Sequence, residues 1–471
     1  MLSSTNLKES KKLLADFEEF HALLKHLFGS PRLAKKRTTI VVFEFDEDFD
    51  SYKPLDTTGR PQNVAAYYLE NQDAAYIAMV SGPATQRDVR EVVYHEYVHQ
   101  FFHMMEYDLP VWLNEGLADV LSTLRVKKNF LEFGHYKETY LDYLTRREID
   151  LSPMSWLFSV ERNSAHYQHG VLQARFYAQS WLAVHYWMCN PEMFDGYLRY
   201  LELWEHSDFS GLEAMEQAFG MNDVQMKKAL EDYLTKGKYP FKRIPLESRP
   251  KRVSLAFRKA TPFEVDMGLE NLHVRVVAPK DGEIRFMNLS DRYPDSPRPY
   301  ETLAVLADFR SDQETSRGYF KKAISLGSKN SYVHVAYAGI ELDRINVESS
   351  LDFRLPDAKT TALRKSLNLA IKNNPNHTNS IKYLAYLESI ARKPRVSNIE
   401  TVQSRIGSMR DRRETLLSLA VIRWRIEDFK TSRMILDSLK RQKPLKGEAM
   451  RRMEMLENRM NDREEETTSN H

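Results

Sequence analysis

Apolar positions recur with two different periods along the chain. From residue 7 to 28 they fall at Leu7, Leu14, Phe17, Leu23, Leu24 and Leu27, a stripe on one face of an amphipathic helix. TTIVVFEF, residues 38 to 45, is β-branched and aromatic and predicts a strand. NVAAYYLE and AAYIAMVS follow, separated only by Asn71, Gln72 and Asp73, and predict the two strands of a hairpin. From Gln86 to about Gly237 the period becomes helical. Strands first and helices after them predict an α+β domain over residues 1–240.

Between Pro240 and Pro299 the periodicity dissolves. Prolines at 240, 245, 250, 262, 279, 294, 297 and 299 argue against a long helix, because each removes a backbone donor and clashes with the preceding turn. LHVRVVA and EIRFMNL read as short extended pieces, so residues 241–297 are expected to be a linker or small β element. A helical phrase then repeats: Leu303-Ala304-Val305-Leu306, Val335-Ala336-Tyr337-Ala338, Leu384-Ala385-Tyr386-Leu387 and Leu419-Ala420-Val421-Ile422. Its alanines are 32, 49 and 35 residues apart, close to the ~34-residue period of tetratricopeptide helix pairs apart from one insertion around 345–358. Ala370, Pro375 and Ala385 fall where that repeat needs a small residue, a terminating proline and a second small residue. Residues 298–460 are therefore expected to form an all-α tetratricopeptide-like solenoid, and 461–471 a disordered tail.

The 471 residues are enough for two to four domains, at roughly 100 to 200 residues each. With 42% hydrophobic and 28% charged residues the composition is globular and excludes collagenous and low-complexity classes. No run approaches the ~18 to 20 uncharged apolar residues of a membrane span, and the first residues lack the apolar core of a signal peptide. A cytoplasmic chain without a membrane span is expected. The one cysteine, Cys189, excludes an internal disulfide and reads as a buried, inert thiol. The net charge of +2 hides an asymmetry: residues 1–240 hold 25 basic and 35 acidic side chains, residues 241–471 hold 43 and 31. No nucleic-acid-binding fingerprint accompanies the basic half, so no nucleic-acid partner is expected and its charge reads as a solvated helical surface.

Candidate chemistry concentrates in VREVVYHEYVHQFFHMM. On a helix His95 and His99 share a face and can point at one metal ion, while Glu96 can reach a water on that ion. Starting eleven residues past His99, with Glu115 sixteen past it, PVWLNEGLADVLSTL predicts a second helix entered at Pro110. Glu115 offers the third ligand of an open zinc site, and Asp119, one turn on, a carboxylate to receive the free N–H of a ligand histidine. Gly116 permits this helix to pack closely on the first. His103 is a weaker ligand candidate, since a closed four-ligand site would suppress catalysis. Phe102 and Met105 stand where a metzincin needs Gly and His. Asp46, Asp48 and Asp50 lack the turn glycine and the bidentate glutamate of a calcium loop, with Ser51 and Thr57 in their places, and read as a plain acidic loop.

With HExxHxF at His95–Phe101, P-x-WLNEGLA at Pro110–Ala118 and YAQSW at Tyr177–Trp181, the chain resembles the gluzincin, peptidase-MA-like zinc metallopeptidases. The resemblance covers about residues 38–235, and tetratricopeptide repeats often follow in those proteins. It departs from thermolysin and the aminopeptidases, whose ligand glutamate lies slightly farther on. The resemblance implies a zincin-like fold, one Zn2+ per chain held by His95, His99 and Glu115, and Glu96 as general base in hydrolysis of a peptide or protein substrate. It also implies a downstream oxyanion donor, for which Tyr177 is the first candidate and His166 and His169 the others. By position AAYIAMV is the edge strand along which an extended peptide would lie. Trp112 and Leu113 are expected beneath the site as core. The repeats are expected to bind a protein partner or substrate; the alternative is a catalytically inactive scaffold built on the repeat domain.

Overall fold

The computed structural model describes the chain except for residues 30–36, 57, 71–73, 82–85, 106, 108, 146–149, 165–166, 168–169, 207–208, 247–255, 278–280, 346–350, 376, 410, 443 and 470–471. The fold is mostly helical with a small mixed sheet, and it divides in sequence into two compact units between Lys259 and Ala260. No described helix is long and apolar enough to cross a membrane.

The first unit opens with β1 (Leu2–Ser3) and α1 (Leu7–Phe28), the latter capped by Asn6, whose side chain accepts from the Glu9 amide. β2 (Arg37–Phe43) pairs with β1 in parallel, and β3 (Ala66–Glu70) with β4 (Ala74–Val80) as the antiparallel hairpin. The strand order is β1-β2-β4-β3. AAYIAMV is thus an interior strand and not the expected edge; the edge on that side is β3. The physical reason is visible in its side chains: Ala74 through Met79 are all buried, which suits a strand covered on both faces and paired on both sides. The acidic segment before the hairpin, expected as a loop, forms a short helix α2 (Asp46–Asp50). Buried Lys53 donates to Asp46 and Asp50 at 2.8 and 2.7 Å, so the acidic residues neutralise a lysine that closes the turn.

Helices α3 (Gln86–Met104), α4 (Val111–Leu121), α5 (Glu138–Thr145), α6 (Met154–Ser159) and α7 (Gly170–Cys189) follow, then α8 (Phe194–His206), α9 (Gly211–Phe219) and α10 (Asp223–Lys236). Helix α1 lies against α3 through the stacked rings of Phe20 and Tyr94, 3.9 Å apart, and the Tyr97 hydroxyl, 2.8 Å from His21 Nδ1. Helix α4 is the centre of the unit, with Trp112 and Leu113 buried as expected and the Trp112 ring 5.3 Å from Trp187 of α7. Gly116 does mark a close approach, but to α7 and not to α3: a Cβ there would lie 2.5 Å from the Ser180 carbonyl oxygen. Cys189 is buried, and desolvation pushes its thiol up to about 12, as an inert core thiol requires.

A second sheet joins β5 (Arg125–Lys127), β6 (Phe130–Phe133) and β7 (Lys242–Pro245). It is locked by Glu132, which is 1% exposed and accepts from Arg243 Nε at 3.1 Å and Nη2 at 2.6 Å. At the end of β6 the buried His185 of α7 lies 2.7 Å from the Gly134 carbonyl and 2.9 Å from the Tyr233 hydroxyl, tying sheet, α7 and α10 together.

The segment expected as a linker or small β element contributes β7 to the first unit, but residues 272–276 of LHVRVVA and all of EIRFMNL are helical. They belong to α11 (Pro262–Val276) and α12 (Gly282–Arg292) of the second unit. The prolines mislead because they punctuate helices without interrupting them. Pro262 occupies the first turn of α11 behind a Thr261–Glu264 capping box, and Pro297 the first turn of α13 (Pro297–Phe309) behind Ser296. Beyond come α14 (Gln313–Ser325), α15 (Ser331–Asp343), α16 (Asp357–Asn373), α17 (Thr378–Ile390), α18 (Val396–Arg405), α19 (Arg413–Arg425), α20 (Phe429–Lys440) and α21 (Gly447–Ser469). Helix α21 runs through most of the tail expected to be disordered, with Leu456 and Met460 buried against Val421 and Leu436. Its apolar residues lie every third or fourth place and give it a core face despite its charge.

The repeat-like character of this unit is visible in its details. Ala304, Ala385 and Ala420 are fully buried; in the second phrase Ala338 takes that place and Ala336 is half-buried. The α13–α14 and α19–α20 pairs repeat one another bond for bond. Ser316 donates to the Ala304 carbonyl at 3.0 Å and Ser432 to that of Ala420 at 2.7 Å. Asp312 caps Thr315 and Asp428 caps Thr431, each at 3.2 Å. The turn residues before the caps, Ser311 and Glu427, share a positive φ of 61° and 63°.

Two outcomes follow for the first unit. Gly116→Val must push α4 and α7 apart, and is expected to destabilise the unit by about 1–3 kcal/mol. Denaturation followed by tryptophan fluorescence checks this, since five of the six tryptophans lie before residue 260. Burial lowers the His185 pKa to about 4 from an ordinary 6.5. Between those values the unfolded chain takes up a proton that the fold refuses, so stability falls as pH drops from 6.5 to 4, by up to about 3 kcal/mol. His185→Asn should flatten that slope in denaturation curves measured at pH 7 and 4.5.

Candidate metal centre

Helix α3 carries His95 and His99 one turn apart on one face, and α4 packs against it so that Glu115 faces both. Glu115 Oε2 lies 3.2 Å from His95 Nε2 and 3.3 Å from His99 Nε2, and the two nitrogens are 3.1 Å apart. These three are the one group of potential metal ligands found among the described residues. Behind them His95 Nδ1 lies 3.0 Å from Asp119 Oδ1, which also receives Lys137 Nζ at 2.5 Å.

Both carboxylates are buried, Glu115 at 3% and Asp119 at 1% exposure. Burial raises the Glu115 carboxyl, but the two imidazoles override it and hold the group well below the usual carboxylate range. Burial likewise raises Asp119, and Lys137 and His95 reverse the direction. Burial depresses the His95 imidazole, yet Asp119 first, then Glu115 and Glu96, lift it above its ordinary value. Negative charge in this pocket thus demands a positive neighbour.

The donor set suits a divalent cation such as zinc: two imidazole nitrogens and one carboxylate oxygen, with Asp119 on the far nitrogen of His95 to fix its tautomer. Glu115 Oε2, the oxygen facing both rings, is buried and has no hydrogen-bond donor of acceptable geometry. It sits within ion-pair distance of both nitrogens.

Glu96 follows His95 on α3, is half-buried, and makes no hydrogen bond or ion pair among the described residues. Its charge reaches both His95 and Tyr177. Tyr177, on α7, is half-buried beside Tyr167, their rings 6.1 Å apart and near parallel. Desolvation, then the Glu115 charge, raises the Tyr177 hydroxyl far above its ordinary value, which favours the neutral hydroxyl. His103 is exposed and outside the ligand group. His166 and His169 lie outside the described residues.

Three neighbours escape the sequence reading. Lys137 pairs with Asp119, Tyr140 faces the same carboxylate, and the Tyr167 hydroxyl donates to Glu115 Oε1 at 2.8 Å. None has a fixed spacing from the motif helices that would mark it; in SAHYQHG the histidines draw the eye and the tyrosine between them makes the contact.

Asp119→Ala is expected to weaken zinc binding about 10- to 100-fold, read by competition with a chromophoric chelator, with the fold checked by circular dichroism. Unchanged affinity would remove Asp119 from the centre. A comparison with protein families and with curated proteins finds no family model and no curated protein that matches this chain, so the reading of the centre rests on its residues and their geometry.

Proposed function

We propose that the first unit is a zinc-dependent peptidase that holds one zinc ion through His95, His99 and Glu115. The observation that carries this reading is the convergence of His95 Nε2, His99 Nε2 and Glu115 Oε2 within 3.3 Å of one another, beside an uncommitted Glu96. Bound there, zinc would lower the pKa of a water molecule and polarise the scissile carbonyl.

The chain's own groups supply the rest. Glu96, adjacent to a ligand and free of other partners among the described residues, accepts the proton of the attacking water and returns it to the leaving amine. Tyr177, kept protonated by burial and by the Glu115 charge, donates to the oxyanion as it develops. Asp119 and Lys137 keep the His95 ring in register. The substrate is a peptide or protein. The second unit, built of repeating helix pairs, is a tetratricopeptide-like array that binds a protein partner or the substrate itself.

Elemental analysis of wild type and of Glu115→Ala, followed by digestion of a peptide library, tests the reading. The expected result is one zinc per wild-type chain, lost or weakened in Glu115→Ala. Glu96→Gln should keep its zinc and lose about 10²-fold or more in cleavage rate. Zinc bound with cleavage indifferent to Glu96→Gln, or no zinc after reconstitution, would overturn it and favour the scaffold.

A further inference from the structure

Glu115 has two carboxylate oxygens and only one of them faces the imidazoles. Oε2 is the oxygen near His95 and His99; Oε1 accepts from the Tyr167 hydroxyl at 2.8 Å. The Tyr167 ring is held in place on two sides, edge-on to Phe176 at 5.9 Å and stacked with Tyr177 at 6.1 Å. Tyr177 is thus a ring neighbour of the residue that touches Glu115. A neutral hydroxyl on Oε1 fills one of its two lone pairs and fixes the carboxylate with Oε2 as the oxygen turned to the imidazoles.

We propose that Tyr167 is a positioning residue that commits Glu115 to the metal through a single oxygen and so keeps the centre open. This rests on the zinc reading above. A glutamate free to offer both oxygens takes up an additional coordination position, the position a catalytic zinc site leaves for water and substrate. Tyr167 does not face the reacting atoms; it acts through Glu115. Its ring also backs that of Tyr177, with which it stacks. The outer carboxylate on His95 and the hydroxyl on Glu115 then do the same work on two ligands from two different elements.

The test uses the full chain with zinc and, separately, with cobalt(II) as a spectroscopic stand-in. Tyr167→Phe keeps the ring and its stack and removes only the donor. It is expected to change the cobalt visible spectrum from the intense bands of a four-coordinate ion to the weaker bands of a higher coordination number. It should also change zinc affinity about tenfold in chelator competition. Tyr177→Phe, which leaves the donor to Oε1 in place, should keep the wild-type cobalt spectrum and a zinc affinity within about threefold. In the Glu115→Ala background, Tyr167→Phe should have no further effect on whatever metal binding remains. A wild type that binds cobalt and zinc while Tyr167→Phe matches it in spectrum and affinity overturns the inference and leaves the zinc reading standing. A wild type that binds neither metal overturns both. If Tyr167→Phe fails to fold, an unchanged spectrum in Tyr167→Leu, which offers Oε1 no donor, would equally overturn the inference.

Discussion

Two buried carboxylates on one core helix are the constraint from which the rest of the first unit follows. Every residue of α4 from Glu115 to Leu121 is buried, so Glu115 and Asp119 are carried into the apolar centre by the helix that forms it. An unpaired carboxylate there would cost several kcal/mol, and a fold that keeps two must surround them with donors and cations. That requirement brings His95 and His99 from α3, Lys137 from the approach to α5, and Tyr167 from before α7. Three stretches of chain are gathered to satisfy two side chains. The same arrangement makes a divalent cation welcome, since it can replace protons as the neutralising charge between Glu115 and the imidazoles.

Rigidity around α4 gives the centre its precision. Gly116 allows the α7 backbone to come within reach of α4, and that approach puts Tyr177 on the site side while Trp181 and Trp187 fill the core. Further along α7, His185 is fixed by Gly134 and Tyr233, which anchors the helix at its far end. On the other side α1 backs α3 through Phe20, His21 and Asp16, the last pairing with Arg90 at 2.9 Å. A ligand displaced by an ångström would lose its partner; ligands on packed helices, held by second contacts, are not displaced easily.

The second unit is organised by repetition. Its helix pairs reuse one turn, one capping aspartate and one serine-to-carbonyl bond. Between the repeated pairs, buried charge again selects neighbours. Glu388 is fully buried and accepts from Arg364 at 2.8 and 2.6 Å, from the Arg395 amide at 2.9 Å and from Asn398 at 2.5 Å. A carboxylate so fully engaged adds little net stability, but it leaves α16, α17 and α18 one register in which to pack.

Local physics made part of this legible in the sequence. The 3.6-residue period gave α1, α3 and α4; two apolar runs with a three-residue polar break gave the β3–β4 hairpin; the i, i+4 spacing put His95 with His99 and Glu115 with Asp119, because each depends only on backbone geometry within a short stretch of chain. Where the residue pattern had two local solutions, tertiary structure chose. The prolines of 241–297 fit helix starts as well as loops, α21 needed a core to lie on before its sparse apolar stripe counted, and AAYIAMV became interior because β2 pairs with its outer side. That Gly116 meets α7, Tyr167 meets Glu115 and Lys137 meets Asp119 was decided by packing alone. Tyr167 lies 52 residues from Glu115 and Lys137 lies 18 from Asp119, and a contact across such distances is set by how helices stack, a property no window of sequence contains.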